Sequence, residues 1–187
     1  IRAFAWMPNG DLIIGGAFTN AGDANGDGVV RYTPSTDTLT SMGAPNPGGT
    51  ATVYALAVDR NGLLYIGGDY LNMGGVITAD YLSTWDGSTY ADVGAGVVGV
   101  VWAVVVDSSN TVFIGGAFAD YIKSYDGTTL ADLNGGALDN TVLCLCIDTA
   151  GDLVAGGGFT ASGSEGLLRI GTYDGQQWLP MGAGANN

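Results

Sequence analysis

Short apolar segments, bounded by turn residues, recur along the whole chain in the same order. Four of these segments end in a Gly-Gly doublet, and successive doublets lie about 40 to 50 residues apart. The first glycines of the doublets are Gly15, Gly67, Gly115 and Gly156. Each repeat contains four segments, here named a to d. Segment b ends in the doublet, segment a precedes it, and segments c and d follow it. All four are β-branched, aromatic or alternating, which predicts strands.

Turn residues separate the predicted strands. Between segments c and d stand Asp86-Gly87, Asp126-Gly127 and Asp174-Gly175. Such pairs supply the positive φ angles of a tight hairpin. Segment a ends in Asp59, Asp107 or Asp148 in the last three repeats, and these aspartates are expected to accept hydrogen bonds within the following turn. No segment has sustained helical periodicity, so the chain is predicted to be all-β.

Segment a has a small and a large face in every repeat. The small positions are Ala3 and Ala5, Ala55 and Ala57, Ala103 and Val105, and Cys144 and Cys146. Side chains alternate between the faces of a strand, and sheets pack densely when large meets small. We therefore expect the large face of one sheet to fill the small face of the next, with segment a buried on both sides. Cys144 and Cys146 are then buried small residues, too poorly oriented along one strand to form a disulfide.

Repeated four-stranded antiparallel units of this length predict a β-propeller. The four blades are expected at residues 1–52, 53–100, 101–141 and 142–187, forming a single propeller domain or a fragment of a larger one. Terminal blades expose apolar faces and unpaired strand edges. Further blades, from a longer chain or from another chain, are therefore expected.

The repeat also resembles that of kelch-like propellers. The resemblance rests on an apolar run ending in Gly-Gly and on the later aromatic pairs Trp85/Tyr90 and Tyr173/Trp178. The fuller string, IGGxF and then W/Y-D-G, is similar to repeats of bacterial secreted, phage tail and fungal cortical-marker proteins. This resemblance implies a propeller and an extracellular, cell-surface or virion location. Propellers host many unrelated activities, so it does not imply a ligand.

The net charge of the chain limits the kinds of partner that it can bind. The chain has 18 acidic and 5 basic residues, for a net charge of −13. This excess repels phosphate backbones, which disfavours nucleic acid. No apolar run is long enough to span a bilayer. The expected partner is therefore a protein or a glycan, within a larger assembly and without membrane insertion.

Residue types that support catalysis are scarce. The chain has no histidine, which excludes a Ser-His-Asp or Cys-His device within this segment and removes the commonest zinc and copper ligand. It contains neither a nucleophile-elbow motif nor a P-loop. We therefore expect no enzyme activity, no catalytic residues and no required cofactor. A two-carboxylate glycosidase remains an alternative because aspartate is plentiful.

One loop could hold a cation. Asp23, Asn25 and Asp27 alternate and are followed by Gly28, as at the start of a calcium loop, where oxygen ligands at alternate positions converge on a hard cation. An EF-hand would need a glutamate where this chain has Pro34. An ordinary polar turn explains the same residues, so calcium is a candidate and the polar turn its alternative.

The loop between segments b and c varies most in length, and such variable loops on a regular scaffold carry binding specificity. Tyr70, Tyr81 and Tyr121 lie in or near these loops and are the candidate contacts for a glycan or protein. The sequence thus predicts a non-catalytic interaction module. A structural assembly or decoration domain of a large particle, and a secreted carbohydrate-active enzyme, are the alternatives.

Overall fold

The computed structural model describes residues 1–43, 51–134 and 136–185. These residues form four four-stranded antiparallel sheets and one two-stranded sheet, with a single 3-10 turn at Met73–Gly75. Within the same residues, no helix has the length and apolar character needed to cross a membrane. The predicted all-β class with four-stranded antiparallel blades is confirmed.

The strands of the first two blades follow the predicted segments a to d. Blade 1 contains β1 (Ala3–Trp6), β2 (Leu12–Gly15), β3 (Val29–Thr33) and β4 (Thr38–Ser41). Blade 2 contains β5 (Thr52–Val58), β6 (Leu64–Asp69), β7 (Leu82–Trp85) and β8 (Tyr90–Asp92). In both blades each strand pairs with the next one along the chain.

The last two blades repeat this order. Blade 3 contains β9 (Val100–Val106), β10 (Val112–Ala117), β11 (Ile122–Tyr125) and β12 (Leu130–Asp132). Blade 4 begins with β13 (Val142–Ile147) and β14 (Leu153–Gly157). A small hairpin, β15 (Ala161–Ser162) and β16 (Glu165–Gly166), occupies its b–c loop. The blade ends with β17 (Ile170–Tyr173) and β18 (Trp178–Pro180).

The chain divides into two compact units, Ile1–Val101 and Trp102–Asn187, with the division falling inside β9. The first unit contains blades 1 and 2, and its core includes Ile13, Val53, Leu64, Ile66 and Met73. The second contains blade 4 and most of blade 3, and its core includes Ile122, Val142, Leu153, Phe159 and Trp178. Each core gathers residues of both blades of its unit.

Large-on-small packing is found in each unit. A Cβ added to Gly15 of blade 1 would lie 2.6 Å from Val53 Cγ1 and 3.3 Å from Leu56 Cδ1 of blade 2. In the second unit, a Cβ added to Gly115 of blade 3 would lie 2.5 Å from Val142 Cγ1 of blade 4. Only glycine fits at these positions, so the first glycine of the doublet is where the large face of the next blade makes contact.

The expected burial of segment a on both sides is wrong for the first and last blades. In β1 the large side chains Phe4 and Trp6 are 60% and 63% exposed. In β13 the thiols of Cys144 and Cys146 are free, as predicted, but both residues are exposed. The reason is that among the described residues no other sheet of the same unit covers these two faces.

The predicted turn aspartates act as expected. The Asp86 carboxylate accepts hydrogen bonds from the amides of Ser88 and Thr89, each at 2.8 Å. Asp126 and Asp174 accept equivalent pairs. After segment a, Asp59, Asp107 and Asp148 accept from backbone amides of the following turn. Repeated sequence signals therefore produce repeated local structure.

Candidate functional site

In every blade the last residue of the b–c loop has a positive φ angle. These residues are Gly28 (70°), Tyr81 (60°), Tyr121 (60°) and Arg169 (76°). The carbonyl of each accepts a hydrogen bond from the amide of the second doublet glycine, at 2.9 to 3.0 Å. A positive φ angle is unfavourable for residues with side chains, and the hydrogen bond to the doublet stabilises it here. The b–c loop therefore ends at an equivalent place in every blade.

Tyr81 and Tyr121 occupy this place in blades 2 and 3, one in each unit. Both are half-buried, so part of each side chain is available for a contact. Their candidate role in ligand binding stays a prediction.

Tyr70 lies inside blade 2 and is only 3% exposed. Its hydroxyl donates to the Ile66 carbonyl at 2.6 Å and lies 2.9 Å from the hydroxyl of Ser83. Burial raises the pKa of the Tyr70 hydroxyl far above its ordinary value. The ring also lies against Gly68, where an added Cβ would be 2.9 Å from Tyr70 Cδ1. In this conformation Tyr70 presents no face to a ligand, so we exclude it from the site proposed below.

A sequence signal for this burial exists. An aromatic residue stands two positions after the doublet in every repeat: Phe18, Tyr70, Phe118 and Phe159. Phe118 and Phe159 are also buried, and Phe18 contacts Gly16 as Tyr70 contacts Gly68. Position in the repeat therefore identifies Tyr70 as a packing residue, although the loop around it suggests a contact residue.

A groove of about 420 Å³ lies at one end of blade 2. Its walls come from the b–c loop and from the segment after β8, which emerge at the same end of an antiparallel sheet. The lining residues are Ile77, Thr78, Asp80, Asp92 and residues 94–98. Ile77 and Val98 are 81% and 90% exposed. The groove thus joins two exposed aliphatic side chains to two carboxylates.

Blade 3 has a smaller pocket of about 150 Å³ at the corresponding place. Asp120 and Asp132 line it and correspond to Asp80 and Asp92 of blade 2. Lys123 forms salt bridges with both, at 3.3 Å to Asp120. Burial lowers the pKa of Lys123, but the hydrogen bonds and charges of Asp132 and Asp120 outweigh burial, so the pKa is raised. This acidic pair is therefore compensated within the blade.

Blade 2 lacks an equivalent of Lys123, the residue that compensates the acidic pair in blade 3. Ser83 stands where blade 3 has Lys123, and it is fully buried against Tyr70. Asp80 Oδ1 accepts a hydrogen bond from the Asn72 amide at 2.7 Å. Among the described residues, no lysine or arginine forms a salt bridge with Asp80 or Asp92. The carboxylates in the groove of blade 2 are therefore not compensated by a lysine or arginine of the described residues, and they lie beside the exposed aliphatic side chains of Ile77 and Val98.

The candidate calcium residues make the contacts of a polar turn. Asp23 Oδ1 accepts from the Asn25 amide at 2.7 Å, and the hydrogen bonds that Asp23 accepts from Asn25 and Ser41 lower its pKa. Asp27 Oδ1 accepts from the Asn20 amide at 2.7 Å, as Asp80 does from Asn72 in blade 2. The described part of the chain holds no group of three or more His, Cys, Asp or Glu suited to a metal ion. Calcium at Asp23, Asn25 and Asp27 stays a prediction.

Several carboxylates have perturbed pKa values, all in the same direction. Hydrogen bonds from turn amides and side chains lower the pKa of Asp86, Asp126 and Asp174. Burial raises the pKa of Asp139, but hydrogen bonds from Thr160 and Ala161 in the b–c loop of blade 4 outweigh it, so the pKa is lowered. A general acid requires a raised carboxyl pKa. These four groups are therefore suited to holding turns and loops in place and not to donating protons.

Solved structures similar to this chain are large β-propeller proteins. Virginiamycin B lyase from Staphylococcus aureus is 10% identical, with 96% of this chain and 55% of that one covered and a TM-score of 0.61. The extracellular domain of BT4673 from B. thetaiotaomicron is 15% identical, with coverages of 83% and 20% and a TM-score of 0.58. PorZ, a surface component of the type-IX secretion system of Porphyromonas gingivalis, is 15% identical, with coverages of 97% and 27% and a TM-score of 0.56.

No protein-family model and no curated protein matches the chain. The chain spans between a fifth and just over half of the length of the solved structures named above. At such low identity the similarity establishes the fold alone, and the chain has the β-propeller fold.

Proposed function

We propose that this chain is a non-catalytic interaction module of an extracellular, cell-surface or virion protein, such as a phage tail or appendage. It binds a protein or a glycan through loops at one end of its blades. The groove of blade 2 carries the proposal. It combines the exposed side chains of Ile77 and Val98 with the carboxylates of Asp80 and Asp92.

The chemistry of this groove suits an amphipathic ligand. Aliphatic side chains pack against the apolar face of a sugar ring or of a partner's side chain, while carboxylates accept hydrogen bonds from hydroxyl or ammonium groups. In blade 3 Lys123 compensates the corresponding carboxylates. A lysine or arginine of a protein ligand would take that role in blade 2, and a sugar hydroxyl would donate a hydrogen bond to the same carboxylates.

The proposed location is supported by the solved structures that share this fold. BT4673 contributes an extracellular domain and PorZ is a bacterial surface component. The repeat resemblance, together with the single lysine in the chain, supports an extracellular or virion setting.

The test screens the purified chain against a glycan array and against an array of lysine- and arginine-containing peptides. Binding to a hit is then compared between the wild type and a variant carrying Ile77→Ser and Val98→Ser. We expect at least a tenfold loss of affinity. A variant carrying Leu39→Ser and Leu179→Ser changes two exposed aliphatic residues of strands β4 and β18, outside the b–c loops, and serves as the matched control.

Three outcomes would overturn the proposal. These are the absence of any hit, equal affinity of the wild type and the groove variant, and the release of cleavage products from array glycans detected by mass spectrometry. The last outcome would favour the carbohydrate-active enzyme.

One observation favours a second function, a structural assembly or decoration domain of a large particle. Phe4 and Trp6 of β1 are large, apolar and exposed, as expected of a surface that is covered in an assembly. Native mass spectrometry tests it: stable multimers without added ligand support the structural role, and a monomer at all concentrations contradicts it.

A further inference from the structure

The two blade-to-blade contacts described above use equivalent positions of segment a. Counted from the end of the segment, the large-face residues are Val53, Leu56 and Val58 in blade 2, and Val142, Leu145 and Ile147 in blade 4. Val53 and Val142 are fully buried. The other four pack, partly buried, against the core of their own unit. The same interface geometry between adjacent blades is therefore used in both units.

In blade 1 the equivalent residues are Ile1, Phe4 and Trp6. Their exposed fractions are 68%, 60% and 63%. β1 is otherwise a regular strand that pairs with β2 from Ala3 to Trp6, and its opposite face contributes Ala5 to the core of the first unit. Blade 1 thus has the large half of the interface ready and uncovered.

Blade 4 presents the small half of the same interface. Gly156 corresponds to Gly15 and Gly115, the glycines that meet the next blade. A Cβ added to Gly156 would meet only atoms of blade 4 itself, namely Cys144 Sγ at 2.7 Å and the Arg169 carbonyl oxygen at 3.9 Å. Cys144 and Cys146 are exposed beside it. The small face of blade 4 therefore lacks the partner that the glycines of blades 1 and 3 have.

We propose that the large face of blade 1 (Ile1, Phe4 and Trp6) docks on the small face of blade 4 (Cys144, Cys146 and Gly156) of a second copy of this chain. The contact continues an interface that the chain already builds within each unit. It joins two different surfaces, so it is heterologous and runs head to tail from copy to copy. It leaves the groove of blade 2 unused, so it is independent of the proposed ligand, and it rests on the second function proposed above, the structural assembly domain.

The partner's nature follows from shape and polarity. Phe4 and Trp6 are bulkier than the equivalent Leu56 and Val58, while Cys144 and Cys146 leave a shallow apolar surface around Gly156. Burial of exposed aromatic side chains against such a surface drives association by removing apolar area from water. A second copy supplies this surface in matching form, since it carries the same blade 4.

The test measures the mass of the purified chain by native mass spectrometry and by light scattering over a wide concentration range. We expect concentration-dependent oligomers in the wild type. The double variant Phe4→Glu/Trp6→Glu is expected to associate at least tenfold more weakly. Both residues are exposed, so circular dichroism should show an unchanged fold. The control Leu71→Glu/Gln176→Glu adds the same two negative charges at exposed loop residues, outside the groove and both docking faces, and should associate like the wild type.

A disulfide trap gives an independent readout. By equivalence with Leu56, which lies over Gly15, residue 4 of one copy should lie over Gly156 of the next, beside Cys144. Phe4→Cys should therefore form disulfide-linked dimers and larger oligomers through Cys144 on mild oxidation, and the control Leu71→Cys should not. A wild type that stays monomeric would overturn the proposal. So would oligomers that persist in the Phe4→Glu/Trp6→Glu variant, or a disulfide of Phe4→Cys confined to monomers.

Discussion

The hydroxyl groups of Tyr70 and Ser83 lie 2.9 Å apart in the interior of blade 2, where both residues are buried. Tyr70 donates to the Ile66 carbonyl at 2.6 Å, so the Ser83 hydroxyl is oriented to donate to Tyr70. This buried pair ties Tyr70, two positions after the doublet, to segment c. Ser83 stands at the position where blade 3 has Lys123.

Tyr70→Phe should destabilise the protein by about 1–2 kcal/mol, because the variant leaves the Ser83 hydroxyl and the Ile66 carbonyl buried without this partner. Urea unfolding followed by fluorescence measures the change. Tyr90→Phe is the matched control. The Tyr90 hydroxyl is buried without a hydrogen-bond partner among the described residues, so its removal should be neutral or slightly stabilising. Equal losses in the two variants would contradict this account.

Gly15→Ala and Gly115→Ala should each destabilise the protein by about 1–3 kcal/mol, since overpacking forces neighbouring side chains to shift. The new methyl groups would fall 2.6 Å from Val53 Cγ1 and 2.5 Å from Val142 Cγ1. Denaturant midpoints measure the effect. Gly166→Ala adds a methyl group with nothing within 4 Å and should leave the midpoint nearly unchanged. A harmless Gly15→Ala would contradict the packing of blade 1 on blade 2.

Asp86 should make stability fall on acidification. Hydrogen bonds from the amides of Thr89 and Ser88 lower its pKa below the ordinary 3.8. A group whose pKa is lower in the folded state stabilises above its unfolded pKa, and this stabilisation disappears as pH falls through the folded pKa. Asp86→Asn should therefore show a weaker loss of stability than the wild type below about pH 4. NMR titration of the wild-type carboxyl group checks the shift directly, and a midpoint at the ordinary value would contradict it.

Lys123→Met should lower stability modestly, by about 0.5–1 kcal/mol, since the salt bridges are partly exposed to solvent. Methionine retains the apolar stem of the lysine, so the change isolates the charge. The loss should shrink at high salt, because screening weakens the Lys123 interactions. The raised pKa of Lys123 means that its contribution is complete below the ordinary pKa of 10.5 and is lost as pH rises through the higher folded value. A salt-independent loss would instead indicate a packing role.

The strands could be predicted because their signals are local. Alternation along segment a and the Asp-Gly pair after segment c act within a few residues, and both recur in the structure. Exposure of Cys144 could not be predicted in this way. Its burial depends on whether another sheet covers the strand, and the alternating pattern of the strand is the same in either case.

The candidate site was harder to predict because it depends on differences between the repeats. Loop position suggested Tyr70 as a contact residue, whereas its place two residues after the doublet makes it a packing residue against Gly68. The groove of blade 2 depends on Ser83 replacing Lys123, and that replacement matters only once strand pairing brings Asp120 and Asp132 together around the lysine. Neither relationship is visible from one repeat alone.

The residue that ends each b–c loop has a similar positive φ angle in all four blades, although its side chain is not the same in all of them. Glycine, tyrosine or arginine can stand there because one carbonyl hydrogen bond to the doublet sets the backbone path. A mutation at this position therefore changes what the blade displays to its surroundings while the direction in which the side chain leaves the scaffold stays constant. The side chain at the end of the b–c loop can therefore differ between blades while the sheet beneath it keeps one structure.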